Sequence, residues 1–409
     1  MHLTLLTETF PPEVNGVAQT LGRWADAFRR RGHALQVVRP RQPDERGSQE
    51  RVFALPLPFY REVRLDLATP GRLRRLLGEF RPDLVHVATE GPLGLAALRA
   101  AGRLAVPVVS SFHTHYDEYV GHYGMPWLRP AARTYLRWFH NQTALTLVPT
   151  VATRGLLLDL GYKNVALWPR GIDGQRFHPC HRDESLRASL GLGPADPLLL
   201  YVGRLAPEKN LLTLLDVFGR LRERAAPGAR DRLRLALVGG GPLEECLRDA
   251  RLPGVVMPGY QHGEALARWY ASGDIFVFPS LTETFGNVVL EAQSSGLPVV
   301  AFNYPALGER VAHGEDGLLA EDPDDMAAAL ARLLSDAGAR RRFGAAARRK
   351  AEGQGWEPIF DRLEERYREV VADATAPVFL EPLITALPGS PSAPPTPFPS
   401  RRSCASGCP

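Results

Sequence analysis

The chain is 409 residues long, 44% hydrophobic and 23% charged, with a formal net charge of +4. These values describe ordinary globular protein with room for two or three domains. No apolar run approaches the roughly 20 residues needed to cross a bilayer.

The charge is uneven. Residues 1–180 hold 23 Arg plus Lys against 15 Asp plus Glu, a net of +8, which leaves −4 for the remainder. A basic first half suits an anionic partner, either phosphate groups or an acidic lipid surface. Nucleic acid is not expected, because no helix-turn-helix, zinc-finger or RNA-binding signature accompanies the charge. Cys180, Cys246, Cys404 and Cys408 lack zinc-ligand spacing and read as free thiols in a reducing compartment. Met1 to Leu6 carries no basic lead, so it reads as a first strand rather than a secretory signal. A cytoplasmic protein that touches the inner face of the cell membrane is the expectation.

Short apolar runs alternate with longer helical patterns, the signature of parallel α/β construction. In chain order they are strand Leu3 to Leu6, helix Ala18 to Arg31 and strands Ala34 to Val38, Leu84 to Val87, Val106 to Ser110 and Leu145 to Val148. The stretch from Trp168 to Glu184, rich in Gly, Pro and His, loses periodicity and reads as a linker. The rhythm then repeats with strand Leu198 to Val202, helix Leu211 to Arg224, strand Arg234 to Val238, helix Glu244 to Arg251, strand Val255 to Met257 and helix Ala265 to Tyr270. Strand Ile275 to Phe278, helix Asn287 to Ser295 and strand Pro298 to Phe302 complete it. A last helical region runs from Met326 to Val371. From Thr375 onward Pro, Ser and Ala dominate, the composition of a disordered tail.

The most informative stretch is "FPSLTETFGNVVLEAQSSGLPVV", Phe278 to Val300. Glu283 sits in the loop before a helix and Glu291 lies eight positions on, inside it. Eight helical positions span about 12 Å. Paired glycosidase carboxyls stand about 5 Å apart, or roughly 6.5–9.5 Å, so a shared reaction centre is disfavoured. The spacing suits two acids that grip separated hydroxyl clusters of one extended ligand. Between them Phe285, Gly286 and Asn287 open the helix with free backbone N–H groups, an anion site. A capped surface helix with two solvated glutamates is the plainer alternative.

"YVGRLAPEKN", Tyr201 to Asn210, follows a strand and precedes a helix. Arg204 and Lys209 can both point into the crevice beyond the strand's carboxyl end. Two cations there would neutralise a leaving diphosphate without a metal. Lys209 is one of only three lysines, with Lys163 and Lys350, among 49 basic residues. "VGGGP" at 238–242 is a glycine-rich turn that could equally be a tight strand-to-helix connection. In the first half, Asn15 and Gly16 open a helix where backbone can approach phosphate or sugar. His113, His115, Asp117 and His122 in "SFHTHYDEY" raise a zinc reading, but their spacing fits no common zinc motif. No metal site is expected. In "PWLRPAARTYLRWFHN", Arg129, Arg133 and Arg137 share a helical face near Trp127, Tyr135, Trp138 and Phe139, and "PGRLRRLLGEFRP" is similarly basic. Both suit an interfacial helix on anionic lipid, or a core-facing aromatic stripe with a solvated basic back.

The Glu283 to Glu291 stretch resembles the E-x7-E motif of the retaining glycosyltransferases of family 4. Tyr201 to Asn210 resembles that family's G-R-L-x-x-x-K element, and Asn15-Gly16 its glycine loop, which usually reads Gly-Gly. Thr284 stands where the family often has glycine. The resemblance implies an α/β protein of the GT-B fold, two Rossmann-like domains with parallel sheets facing an interdomain cleft. Residues 1–175 would form the acceptor-side domain and 176–355 the nucleotide-sugar domain. Residues 356–375 would form a helix returning to the first domain, and 376–409 the tail. It further implies Glu283 at the donor-sugar hydroxyls and Glu291 on the nucleotide ribose. The backbone of Phe285 to Asn287, with Asn15 and Gly16, would meet sugar and phosphates. His113 would lie beside the transferred sugar and support its oxocarbenium character. The implied reaction moves a hexose from GDP-mannose or a UDP-hexose to a hydroxyl of a lipid or cell-envelope glycan, with retention and no cofactor or metal. A sugar-nucleotide epimerase or hydrolase on the same fold, and a non-catalytic nucleotide-sugar-binding protein, are the rival readings.

Overall fold

The computed structural model describes residues 1–13, 15–40, 51–52, 54–57, 60–66, 69–113, 126–281, 283 and 285–374. The expectations placed on His115, Asp117, His122, Thr284 and the 376–409 tail lie outside these residues.

Two parallel sheets organise the chain. The first runs β3 (Arg51–Val52), β2 (Ala34–Pro40), β1 (His2–Leu6), β6 (Leu84–Val87), β7 (Val108–Ser111), β8 (Leu145–Val148) and β9 (Val165–Leu167), every pairing parallel. A separate antiparallel ribbon joins β4 (Ala54–Leu57) to β5 (Tyr60–Asp66). The second sheet runs β12 (Val255–Gly259), β11 (Arg234–Val238), β10 (Leu198–Val202), β13 (Ile275–Phe278), β14 (Val299–Phe302) and β15 (Gly317–Ala320), again all parallel. Every residue of β6, β7, β10, β13 and β14 is buried. Helices cover both faces, which is why β10, β13 and β14 read as unbroken apolar runs rather than alternations.

The covering helices of the first unit are α1 (Gly16–Arg30), α2 (Pro70–Phe80), α3 (Pro92–Arg103), α4 (Arg129–Asn141) and α5 (Val151–Asp159). Those that follow are α6 (Glu184–Ser189), α7 (Leu211–Arg224), α8 (Pro227–Arg232), α9 (Glu244–Asp249), α10 (Gly263–Ser272), α11 (Asn287–Ser294), α12 (Pro305–Arg310), α13 (Pro323–Ser335), α14 (Ala337–Glu352) and α15 (Trp356–Asp373). In each sheet the first strand is central. The chain moves outward from it to one side and then resumes on the other, so the order reverses between β1 and β6 and between β10 and β13. Such reversals leave a crevice outside the carboxyl ends of the strands, and the candidate residues fall there.

Several expectations are corrected. The single helical region from Met326 to Val371 is three helices. Asp336 breaks it by leaving helical geometry and capping α14 through the Ala339 N–H, and Gly353 and Gly355 break it again before α15. The seventh strand starts at Val108 rather than Val106, because Ala105 adopts φ +54° ahead of Pro107. On α4 Trp138 and Phe139 are buried with Leu136 and Tyr135 is half-buried, while Arg133 faces solvent and Trp127, just ahead of the helix, is 73% exposed. The core-facing alternative holds for Trp138 and Phe139.

Helix α15 leaves the second sheet and packs its Ile359, Phe360, Leu363 and Tyr367 against Leu3, Trp24 and Phe28 of the first. Arg31 ties it down through Glu357, Asp361 and Glu364 at 2.7–3.0 Å. The two chain crossovers therefore run side by side, and Ile172 pairs with Gly355. A Cβ on Gly171 would stand 2.7 Å from the Trp356 ring, so only glycine lets the strands of this hinge approach.

Candidate active site

The loop after β10 is built by backbone contact. Tyr201 donates its hydroxyl to the Arg204 carbonyl at 2.9 Å. A Cβ on Gly239 would stand 2.0 Å from the Gly203 carbonyl oxygen, and one on Gly241 2.5 Å from that of Leu205. The glycine run at 238–242 is thus a packing device that lets two strand-end loops touch. Held in this loop, Arg204 lies 3.9 Å from Glu208. Lys209 reaches the loop after the neighbouring strand β13 and donates to Glu283 at 2.9 Å. Asn210, at φ +55°, donates to the Pro279 carbonyl and joins the two loops a second time.

Gly286 occupies the left-handed region at φ +80° and starts α11 at Asn287. Beside it Phe285 is buried under the Arg310 guanidinium, 4.1 Å from the ring centre. Glu291, half-buried one turn further on, accepts the Tyr270 hydroxyl at 2.8 Å. Withdrawal from water pushes its carboxyl up to about 7, against the pull of the Tyr270 hydrogen bond and of Arg23 and Arg176. Arg23 comes from α1 of the other sheet and pairs with Asp173 of the linker at 3.8 Å.

The opposite wall is the start of α1. Asn15 caps it by accepting the Ala18 N–H at 2.8 Å, and its amide donates to Thr9 Oγ1 at 2.7 Å. A Cβ on Gly16 would lie 2.9 Å from Asn287 Nδ2. The starts of α1 and α11 therefore meet across the cleft, with their free N–H groups on either side of it. Glu309 of α12 makes a further contact between the units, accepting the Val151 N–H of α5 at 3.0 Å and also the Ala152 N–H.

His113 follows β7 and is buried. Its Nε2 lies 2.8 Å from Ser111 Oγ, and its Nδ1 receives an N–H of Arg170 at 2.7 Å. Burial, with Arg170 next in effect, holds its pKa well below the usual histidine value. It is a neutral group, and any support it gives the sugar is that of a dipole, not of a titrating base. Among the described residues no cluster of His, Cys, Asp or Glu is arranged to hold a metal ion.

Arg204, Lys209 and Glu283 thus surround one crevice, Phe285 to Glu291 form its flank, and Asn15 and Gly16 face that flank. Sequence reasoning missed Arg170, Arg23, Tyr270 and Glu309. Arg170 lay in plain view in "WPRGID", yet nothing in a linker's composition signals that one of its side chains turns inward.

This fold and cleft are those of a GT-B glycosyltransferase. The "Glycosyltransferase Family 4" model matches residues 14–176 and the "Glycosyl transferases group 1" model residues 196–336. The chain is 35% identical over 381 residues to a GDP-mannose-dependent alpha-mannosyltransferase of Mycobacterium tuberculosis, covering 90% of this chain and 97% of that one. It is 30% identical over 397 residues to a GDP-mannose-dependent alpha-(1-6)-phosphatidylinositol monomannoside mannosyltransferase of the same species, covering 90% and 98%. A sucrose-phosphate synthase from Thermosynechococcus elongatus superposes with a TM-score of 0.73 at 20% identity, over 90% of this chain and 99% of the other. The chain belongs to glycosyltransferase family 4, and it is a nucleotide-sugar-dependent glycosyltransferase.

Proposed function

We propose that the enzyme transfers mannose from GDP-mannose to a hydroxyl of a lipid or cell-envelope glycan, with retention of configuration and without a metal ion. The observation that carries this reading is Lys209 paired with Glu283 at the β10–β13 reversal, with Arg204 beside Glu208 in the same loop. A departing nucleoside diphosphate needs fixed positive charge where its own charge grows. Lys209, Arg204 and the facing starts of α1 and α11 supply it from the chain itself. Glu283 holds sugar hydroxyls and Glu291 holds the ribose, at the two ends of an extended donor. His113 lies on the sugar side. The acceptor hydroxyl attacks the face from which the phosphate leaves, and the departing phosphate takes its proton. No side chain serves as a covalent nucleophile in this scheme.

GDP-mannose as donor is supported by the names of both mannosyltransferase relatives, and a lipid acceptor by the second. Contact with an anionic membrane is supported by an unusual surface. Helix α5 buries only Thr153 and Leu157 and turns Val151, Leu156 and Leu158 to solvent, joined by Leu160 and Leu167. No helix among the described residues is long and apolar enough to cross a membrane.

The test is transfer from GDP-mannose and from UDP-hexoses to a membrane lipid extract, with and without EDTA, the product anomer being read by NMR. An α-mannosyl product formed equally well in EDTA is expected. Equal donor consumption without acceptor would favour the hydrolase or epimerase reading, and activity only with a UDP-hexose would overturn the donor assignment.

A further inference from the structure

A buried hydrogen-bonded chain runs from the interdomain linker to the returning helix, and its direction is fixed at the linker end. It consists of Arg170, His113, Ser111, His86 and Tyr367, each no more than 8% exposed. A guanidinium has donors only. Arg170, 2.7 Å from His113 Nδ1, must therefore meet a lone pair there. A neutral imidazole that accepts at Nδ1 carries its proton on Nε2, and that proton points at Ser111 Oγ, 2.8 Å away. Ser111 Oγ in turn lies 3.0 Å from His86 Nε2, and His86 Nδ1 lies 2.7 Å from the Tyr367 oxygen. A hydroxyl both donates and accepts, so the donor-only residue at the linker end sets the tautomer of His113, and the chain continues through Ser111 and His86 to Tyr367.

Arg170 is itself fixed. Its second nitrogen donates to the Trp168 carbonyl at 2.8 Å, and its guanidinium lies 4.6 Å from the Trp168 ring centre. It has no carboxylate partner among the described residues. Among the described residues, the titratable groups facing His113 are Arg170 from the linker, His86 from β6 and His140 from α4, with Glu90 behind His140 and Tyr367 of α15 behind His86. The two ends of the chain sit on the two crossovers of the hinge, one ahead of Gly171 and the other on the helix that starts at Trp356.

We infer that Arg170 is a positioning residue for sugar transfer: it locks His113 as a neutral imidazole protonated on Nε2 and ties the ring's orientation to the hinge. This rests on the proposed reading only in placing His113 beside the transferred sugar. A free histidine would change charge near pH 6.5 and present either ring nitrogen to the cleft. Locked by Arg170, it presents one constant dipole across the physiological range, and the charge at this wall of the cleft belongs to an arginine that does not titrate there.

The experiment has two arms. The first is nitrogen NMR of the imidazoles in the wild-type protein, which needs neither donor nor acceptor. His113 is expected to stay neutral and Nε2-protonated from pH 8 to 5.5. An Nδ1-protonated or cationic His113 at pH 7 would overturn the inference. The second arm measures kcat at saturating donor against pH for Arg170→Met, Arg170→Lys and Tyr367→Phe. Arg170→Met should lose about tenfold or more in kcat, as misplaced groups do. It should also gain an acid limb below pH 6.5, because burial still holds the ring down, with the KM for donor changed far less. Arg170→Lys, which keeps a charged donor, should restore the flat profile. If Arg170→Met does not fold, Tyr367→Phe carries the arm: the lock is set from the Arg170 end, so His113 should stay neutral and Nε2-protonated with a flat profile, and loss of that tautomer would overturn the inference. A merely structural Arg170 would lower the melting temperature and leave profile and tautomer alone, which would refute the proposal. A correct tautomer with no transfer from any donor would instead count against the proposed function.

Discussion

Glu291→Gln should stabilise the protein and cripple it together, and pH separates the two effects. Burial raises the Glu291 carboxyl from 4.5 to about 7. Between those values the unfolded chain has lost its proton and the native state keeps it. The unfolded state binds fewer protons, so stability falls as pH rises through the window. At about 1.4 kcal/mol per unit, the roughly 2.5-unit shift amounts to about 3 kcal/mol at pH 8, an upper limit because the side chain keeps some solvent contact. The cost is absent below pH 4.5 and complete above 7. Glutamine keeps an acceptor for the Tyr270 hydroxyl and removes the charge. Urea denaturation should therefore show the variant more stable than wild type at pH 8, by up to that amount, and equal to it at pH 4.5. Donor binding should move the other way. Hydrogen bonds to a charged group are worth about 1.5–3 kcal/mol, so GDP should bind the variant at least tenfold more weakly at pH 8, and wild-type affinity should rise with pH through 7. Stability curves of wild type and variant that run parallel from pH 4.5 to 8 would refute the reasoning.

Other outcomes follow from the same geometry. On the proposed reading Lys209→Met removes one fixed charge from the leaving group and takes Glu283's cation away, so kcat should drop about 10²–10³-fold; a loss confined to KM would show that Lys209 only binds. Gly286→Ala forces an L-residue to φ +80°, which should lower the denaturation free energy by about 1–2 kcal/mol and weaken GDP binding, because α11 starts there. Leu156→Glu with Leu158→Glu places charges on a solvent-facing surface, so melting should stay within a few degrees while sedimentation with phosphatidylglycerol vesicles falls; unchanged sedimentation would remove α5 from the membrane reading.

The strands were legible because parallel sheets bury both faces of each strand, and runs such as "LLLYV" at 198–202 have no other use for so many adjacent apolar residues. The edge strands β9 and β15 were not, because Val-Ala-Leu and Gly-Leu-Leu-Ala carry almost no β-branched or aromatic residues to mark a strand. The two catalytic-side loops were legible because their chemistry is local: Gly286 and Asn287 open a helix, and Arg204 and Lys209 follow a strand end. The return helix was readable as amphipathic from "WEPIFDRLEERYREVV". What could not be read was anything made by distant residues meeting. Arg23 faces Glu291 only because α1 and α11 approach head-on. Tyr367 reaches His86 across 281 positions of chain. His113 looked like a free sugar-side imidazole until Arg170 was seen to occupy its Nδ1.

The charges of the cleft are matched within it. Lys209 holds Glu283, Arg204 stands beside Glu208, and Glu291 shares Tyr270 with a distant pull from Arg23. On the proposed reading the donor cannot simply add contacts; it must exchange them. The diphosphate takes Lys209 from Glu283, and the carboxylate thus released turns to sugar hydroxyls. For a ground-state donor this exchange is close to even, since one partly buried ion pair replaces another. As the glycosidic bond breaks, charge accumulates on the phosphate and leaves the sugar positive. Both halves of the exchange then improve together: the cation gains a stronger anion, and Glu283 faces a developing cation. Only interactions that strengthen in the transition state raise the rate of the chemical step. A lysine paired at rest with the glutamate it must give up is therefore better suited to transfer than to tight donor binding. Hence Lys209→Met and Glu283→Gln should each cost far more in kcat than in donor affinity, and combining them should cost less than the sum, because both act through one exchange.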